Sequence, residues 1–452
     1  MPLLSNRHLT QRISQLSLEE KIVVIIAGVL TFALVVDMEL SNVADLLHRV
    51  ISSQFGINTF IVISATYLAG QYILLRFARV MTADLRSQRK DMRFIDLIAS
   101  AVQGFIIIIF LLLIAEMTLG TSYDLFMLIV VTIVSNGLTA IVMFYLFKRL
   151  LGYYKSHSQY AILSYAISGF IISITALVTI FFMVPILLSK PEFISSTTPV
   201  IFPTFIHDSI LDTLNYAYYI LSVISFLSVW VGTVALLSHY SKKVGKLKFW
   251  IAMTLPLAFY LGQIVIISFQ IPFPFLESDA TSSILYYRVI FTISSTLGGL
   301  LFSQPFFLVS KILPHKSNMH RHLLILGLGM VLFFVSGSAA VYHSPFPPFG
   351  LPTVALIGIS SYLMFLGLYA SAISLSEDSQ LYKLIRTSAQ EWKFFLKLGD
   401  AEVEKRILDK VGSAKQVMAT ETGITPSVSI IDAKDYLSEV LRELANDPEN
   451  IN

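Results

Sequence analysis

The chain of 452 residues is 55 % hydrophobic and 13 % charged, against about 45–50 % and about 25 % in soluble domains. So few charges cannot coat a water-soluble surface on a chain of this length, so lipid must cover most of it. Net charge is +3 and there is no cysteine, which excludes disulfides, thiolate metal sites and iron–sulfur clusters.

A membrane-crossing helix needs about 20 mostly apolar residues. Ten stretches have that character, at about 22–38, 57–76, 96–117, 123–147, 160–188, 216–239, 249–271, 286–311, 322–342 and 351–375. The first is the weakest, with 15 uninterrupted residues from Ile22 to Val36 after an N-terminal segment, 1–21, that carries Arg7, Arg12 and Lys21. That layout also fits a signal-peptide core, but the small-residue cleavage pattern is missing, so it reads as an uncleaved anchor. The stretches are continuously apolar without alternation, which excludes a membrane β-barrel. The expected fold is all-α: a polytopic transmembrane bundle of about ten spans over 22–375, with a short helical tail over 376–452.

Charge sorts the connectors by side. One set, with Arg76, Arg79, Arg86, Arg89, Lys90 and Arg93, carries 19 Lys+Arg against 5 acids. The other, with Asp37, Glu39, Glu116, Asp208, Asp212, Glu277 and Asp279, carries 3 against 10, and the tail from Ser376 carries 10 against 14. Lys and Arg favour the cytoplasmic side of short loops. The expectation is a multi-pass plasma-membrane protein with both termini cytoplasmic.

In chain order, Val43, Leu46, Leu47, Val50 and Ile51 form one apolar stripe, predicting an outer amphipathic helix over 41–55. The later outer connectors hold ten of the sixteen prolines, interleaved with Phe202, Phe205, Phe273, Phe275, Phe346 and Phe349. Proline stiffens a connector and removes a donor. Two readings stand: a rigid aromatic-lined ligand mouth, joined by His207, Asp208 and Asp212, or interfacial anchoring by aromatics. His207, Asp208 and Asp212 lack metal-motif spacing, so no metal site is assigned.

Within the spans, small residues recur every four positions: Ser295, Gly299 and Ser303, then Ser336 and Ala340, then Gly367 and Ser371. Such spacing lets helix backbones approach, so the last three spans read as a tight unit. Pro256 and Pro305 fall mid-span and predict kinks. The middle thirds of the spans contain no acid or base. Their polar groups are Gln103, Asn136, Gln263 and Gln304, with Gln71 nearer an end. An amide at depth bonds a neighbouring helix or touches a solute. The lack of a central carboxylate argues against a proton-driven carrier. On the basic side, His315, His320 and His322 beside Lys311, Lys316 and Arg321 read as a loop facing anionic lipid heads.

No phosphate-binding loop, nucleophile elbow or paired catalytic carboxylate appears, so no enzyme activity, cofactor or nucleic-acid partner is expected. In the tail, one helix runs to about Lys397, Gly399 breaks it, a second covers Ala401–Glu421, and Asp432 caps a third. These helices bury little alone, so they dock on the bundle, pair in a homodimer or await a cytoplasmic partner. No histidine follows His343, so the tail has no histidine phosphoacceptor.

The run Pro345-Phe346-Pro347-Pro348-Phe349-Gly350, with Ser371-Ala372-Ile373-Ser374-Leu375-Ser376-Glu377-Asp378-Ser379 after the tenth stretch, resembles uncharacterised multi-span membrane proteins of ammonia-oxidising archaea. The likeness lies mainly in the last 130 or so residues. It implies an archaeal plasma-membrane protein, without an activity or site residues. The functional expectation is a receptor-like module signalling through its tail. The alternatives are a small-solute facilitator or transporter, and a structural subunit of a membrane complex.

Overall fold

The computed structural model describes residues 18–44, 47–120, 122–188, 193–195, 210–238, 241, 245–269, 280–313, 317–337, 346–377 and 393–422. The described chain is almost wholly helical. In order it forms α1 (Leu18–Asn42), α2 (His48–Ile51), α3 (Gln54–Met81), α4 (Ala83–Gln88), α5 (Lys90–Gly120), β1 (Ser122–Asp124), α6 (Leu125–Ser156) and α7 (Tyr160–Leu188). Then come β2 (Phe193–Ser195), α8 (Ile210–Leu237), α9 (Lys246–Phe269), α10 (Ala280–Ile312), α11 (Asn318–Ser336), α12 (Leu351–Ala355), α13 (Ile357–Glu377) and α14 (Lys393–Thr422).

Among the described residues, nine of these segments are long and apolar enough to cross a membrane. They match nine of the ten predicted stretches, and α12 with α13 counts as one. The remaining stretch, 249–271, is α9, which continues through Pro256 and whose side chains are described only to Gly262. The first stretch gains most from the structure. Helix α1 has 25 residues, about 37 Å at 1.5 Å per residue, enough to span.

Two helices form the centre. In α11, and in α12 with α13, 94 % of the most apolar stretch is buried, against 33 % in α1, α5 and α8. Lipid tails are as apolar as leucine, so close van der Waals fit, not water exclusion, holds such helices together. Glycine supplies the fit. A Cβ on Gly367 of α13 would lie 2.5 Å from the Leu326 nitrogen of α11, and one on Gly329 would lie 2.8 Å from the Met364 nitrogen. Next door, a Cβ on Gly299 of α10 would lie 2.9 Å from Phe334 Cβ, and Ser295 Oγ donates to the Phe334 carbonyl at 2.6 Å. The tight unit read from small-residue spacing is thus the α10–α11–α13 core.

At one end of the bundle β1 and β2 pair antiparallel, with Tyr123 opposite Ile194; both are buried. We call this end the ribbon face and the end that carries α4 and α14 the tail face. The sequence expectations need three corrections here. Residues 41–55 do not form one helix: α1 ends at Asn42, α2 is a single turn, and α3 begins at Gln54. The chain doubles back so tightly that a Cβ on Gly56 would fall 1.7 Å from the Ile51 carbonyl oxygen. Gly399 does not break the tail helix; α14 runs from Lys393 to Thr422. A Cβ there would lie 3.0 Å from the Leu375 side chain, so this glycine permits close approach of α14 to α13. Finally, His320 and His322 are not in a lipid-facing loop. Both lie on α11 and are buried: His320 contacts Ser310, and His322 bridges Ser374 Oγ and the Met81 carbonyl.

Gly367→Ala is expected to destabilise the chain by about 1–3 kcal/mol through overpacking. Gly152→Ala, where a Cβ meets nothing within 4 Å, is expected to be neutral or to stabilise by about 0.5–1 kcal/mol through helix propensity. Detergent-phase thermal unfolding of the two variants measures the contrast.

Candidate functional site

Hydroxyl-bearing residues recur on the inward stripes of α6 and α7, and there the helices leave a space. A cavity of about 100 Å³ is bounded by α6, α7, α8, α10, α11 and the α12–α13 junction, with Tyr260 of α9 on one side. Thr132 and Thr139 contribute from α6, about 10 and 21 Å from its ribbon-face start at 1.5 Å per residue. The cavity therefore occupies the ribbon-side half of the bundle. Its aromatic wall is built from Phe226, stacked on Tyr260 with ring centroids 4.0 Å apart, and Phe334 edge-on at 5.9 Å.

The polarity of the wall follows from helix chemistry. Thr132, Thr175 and Thr179 donate to the Leu128, Ile171 and Thr175 carbonyls, and Ser336 donates to Leu332, each four residues back. Ser295 donates to Phe334. A hydroxyl has one proton and two lone pairs, so these groups keep only acceptor capacity. The one amide, Asn136, gives an N–H to the Thr132 carbonyl at 2.9 Å and retains a second N–H and a carbonyl for other partners. Among the described residues, no charged side chain lines the cavity. The described wall thus offers mainly acceptors, with the Asn136 amide and the Ser222 and Ser225 hydroxyls as its further polar groups.

The adjacent span is locally irregular. Ser135 of α6 inserts at the α12–α13 junction, donating to the Ala355 carbonyl at 2.9 Å and accepting from the Gly358 N–H at 3.1 Å. A side chain entering the helical ladder is one of the recognised causes of a break. The start of α12 is held by Asp37 of α1, whose Oδ2 accepts from Thr353 N at 3.1 Å and Thr353 Oγ1 at 2.7 Å. Asp37, one of the acids of the acidic connectors, is fully buried and caps a helix. Glu116 and Asp124 also cap: Asp124 accepts from Phe126 N, and Glu116 from Asp124 N.

The tail face carries a polar network that the sequence reading divided between loops and tail. Glu402 of α14 is fully buried, 2.8 Å from Arg89 and 2.7 Å from Tyr153 Oη. Phe394, Phe395 and Leu398 are buried beside it, and Arg406 pairs with Glu377 at the end of α13. His157 lies 4.0 Å from both Asp400 and Glu404. Nearby, Asp96 of α5 accepts from Arg79 at 3.1 Å, Arg86 at 2.5 Å and Tyr362 Oη at 2.6 Å. These arginines, which the sequence places in the basic connectors, are partners of acids: Glu402 is buried and Asp96 is half-buried. Helix α14 of the tail therefore docks on the bundle through Glu402 and Arg89. The junction between α13 and α14 lies outside the described residues.

Of the residues named from sequence, Asn136 lines the cavity. Gln103 is buried on α5, away from it. Gln304 is exposed on the bundle perimeter. Phe346 and Phe349 are buried, packed on Tyr123 and Phe60 respectively, and so plug the ribbon face. Asp212 and Gln263 lie on α8 and α9 with side chains outside the described set, as do Phe202, Phe205, His207, Asp208, Phe273 and Phe275 altogether. Sequence reasoning missed the cavity threonines and serines, because hydroxyls are common in spanning helices. Their one signal was the triplet Thr132, Asn136 and Thr139 on a single helical stripe.

Breaking a buried ion pair from one side costs about 3–5 kcal/mol. Arg89→Ala is therefore expected to free α14 while the bundle stays folded. Limited proteolysis then cuts within 393–422 faster than in the unaltered chain, with the bundle fragment intact.

Comparison of the chain with family models, curated proteins and solved structures gives no match.

Proposed function

We propose that the chain is a receptor-like membrane module that holds a small uncharged solute in the hydroxyl-lined cavity and passes its occupancy to the docked tail helix α14. The carrying observation is that two helices serve both ends. α6 supplies Thr132, Asn136 and Thr139 to the cavity and Tyr153 to the tail dock. α13 supplies Ile357 to the cavity, and Leu375 and Glu377 to the tail dock. A shift that a solute imposes on either helix reaches α14 without a further relay.

Solute class follows from volume and wall chemistry. An apolar cavity of about 150 Å³ accepts benzene, so about 100 Å³ suits a molecule of only about three to five heavy atoms. The acceptor-rich wall selects one bearing N–H or O–H donors, such as a short alcohol or amide. An ion would lose its hydration with no counter-charge in the wall. By the positive-inside asymmetry, the ribbon face lies outside and the tail lies in the cytoplasm, with the plasma membrane as the setting.

One observation favours the second reading, a facilitator for the same solute class. A further void of about 20 Å³, lined by Met143, Leu146, Leu150, Met330, Met364 and others, shares Ile172 with the main cavity and lies toward the tail face. Flexible methionines suit an apolar constriction that opens and closes.

The cysteine-free chain allows a direct test. With cysteines in place of Leu375 and Gly399, whose β-carbons would lie 3.5 Å apart, within the reach of a disulfide, disulfide formation reports the docked tail. Small neutral alcohols and amides are expected to change its rate at least threefold, and Asn136→Leu to remove the response without lowering the melting temperature. An unchanged rate across the panel, together with Asn136-dependent flux into proteoliposomes, would replace the receptor reading by the facilitator.

A further inference from the structure

The tail face holds a second pocket that neither the cavity nor the tail dock explains. It has a volume of about 270 Å³ and is lined by Tyr72, Arg76, Arg79, Val80, Ala83 and Arg86, from the end of α3 and from α4. Three guanidinium groups within one small pocket are costly unless neutralised. Arg79 and Arg86 share a single carboxylate, Asp96. Arg76 is exposed and makes no ion pair or hydrogen bond among the described residues. Asp84 lies on α4 but does not line the pocket. The local excess is thus two positive charges. Arg86 also keeps a buried Nε–H with no acceptor among the described residues.

We propose that this pocket binds the headgroup phosphate of an anionic phospholipid. A phosphate supplies what is missing: negative charge to offset the excess, and several acceptor oxygens that match guanidinium forks. The position selects lipid as the source. The pocket lies at the end of a spanning helix, and Tyr72 and Val80 beside the arginines are 54 % and 60 % exposed. A lipid seated by its phosphate would lay its acyl chains along that apolar flank, and basic pockets at this depth are the usual seats of anionic headgroups. The site also connects inward. Asp96, which the same arginines hold, accepts from Tyr362 of α13, so the pocket is tied through one carboxylate to the central helix.

Native mass spectrometry of the full chain, exchanged from detergent into nanodiscs and released, tests the assignment. Phosphatidylglycerol is expected to remain as one retained adduct, and phosphatidylcholine is not. Arg76→Gln, which removes no contact within the protein, is expected to cut phosphatidylglycerol retention at least tenfold. Lys410→Gln, an equal loss of charge on the exposed part of α14, leaves it unchanged. Retention equal for the two lipids, or equal in Arg76→Gln and Lys410→Gln, overturns the proposal. Displacement of the adduct by millimolar inorganic phosphate also overturns it, by assigning the pocket to a soluble anion.

Discussion

Everything in this fold is arranged around the close approach of α11 and α13. Two glycines, Gly329 and Gly367, bring one backbone against the other at a distance that no Cβ would tolerate. In lipid, where burial of apolar area gives no preference for one neighbour over another, such shape-specific contact decides which helices meet. Once this pair is fixed, α10 seats on α11 through Gly299 and Ser295. α6 seats on the α12–α13 junction through Ser135, where a Cβ on Gly358 would lie 2.7 Å from the Ser135 carbonyl oxygen. The outer helices α1 and α5 then face lipid with most of their surface.

The second constraint is that a polar group within the bundle must find its partner there. The two ends meet this constraint differently. At the ribbon face, carboxylates cap helix starts, and the aromatic pairs Tyr123–Phe346 and Phe60–Phe349 close the surface. At the tail face, carboxylates on α5 and α14 are tied to arginines and tyrosines from α3, α4, α6 and α13. Between them most of the cavity hydroxyls bond to their own helices, and Ser295 bonds across to α11, leaving acceptors that face inward. Among the described residues this leaves a polar cavity without a charge at membrane depth.

Much of the architecture was legible before any coordinates. The long apolar helices and their approximate limits follow from runs of about 20 apolar residues, a local property. The α10–α11–α13 core was legible because four-residue spacing of small residues places them on one face. Asn136 was legible as a lone amide on an apolar helix. The rest of the site was not. Thr132, Thr175 and Ser295 carry no signature apart from ordinary helical hydroxyls, and only the convergence of seven spans makes them a wall. Gly399 looked like a breaker, since glycine lowers helix propensity; its neighbour Leu375, on another helix, turns it into a packing residue.

The sequence by itself determined that this is a multi-pass helical membrane protein with charges sorted between its connectors, because span length and connector charge are read one segment at a time. Tertiary structure alone decided the fate of those charges. Asp37 bonds a residue 316 positions away, and Glu402 bonds one 313 positions away. A carboxylate in a connector reads the same whether it meets water, a helix start or an arginine. Only the folded neighbour distinguishes them, by supplying or withholding the donors that offset its desolvation.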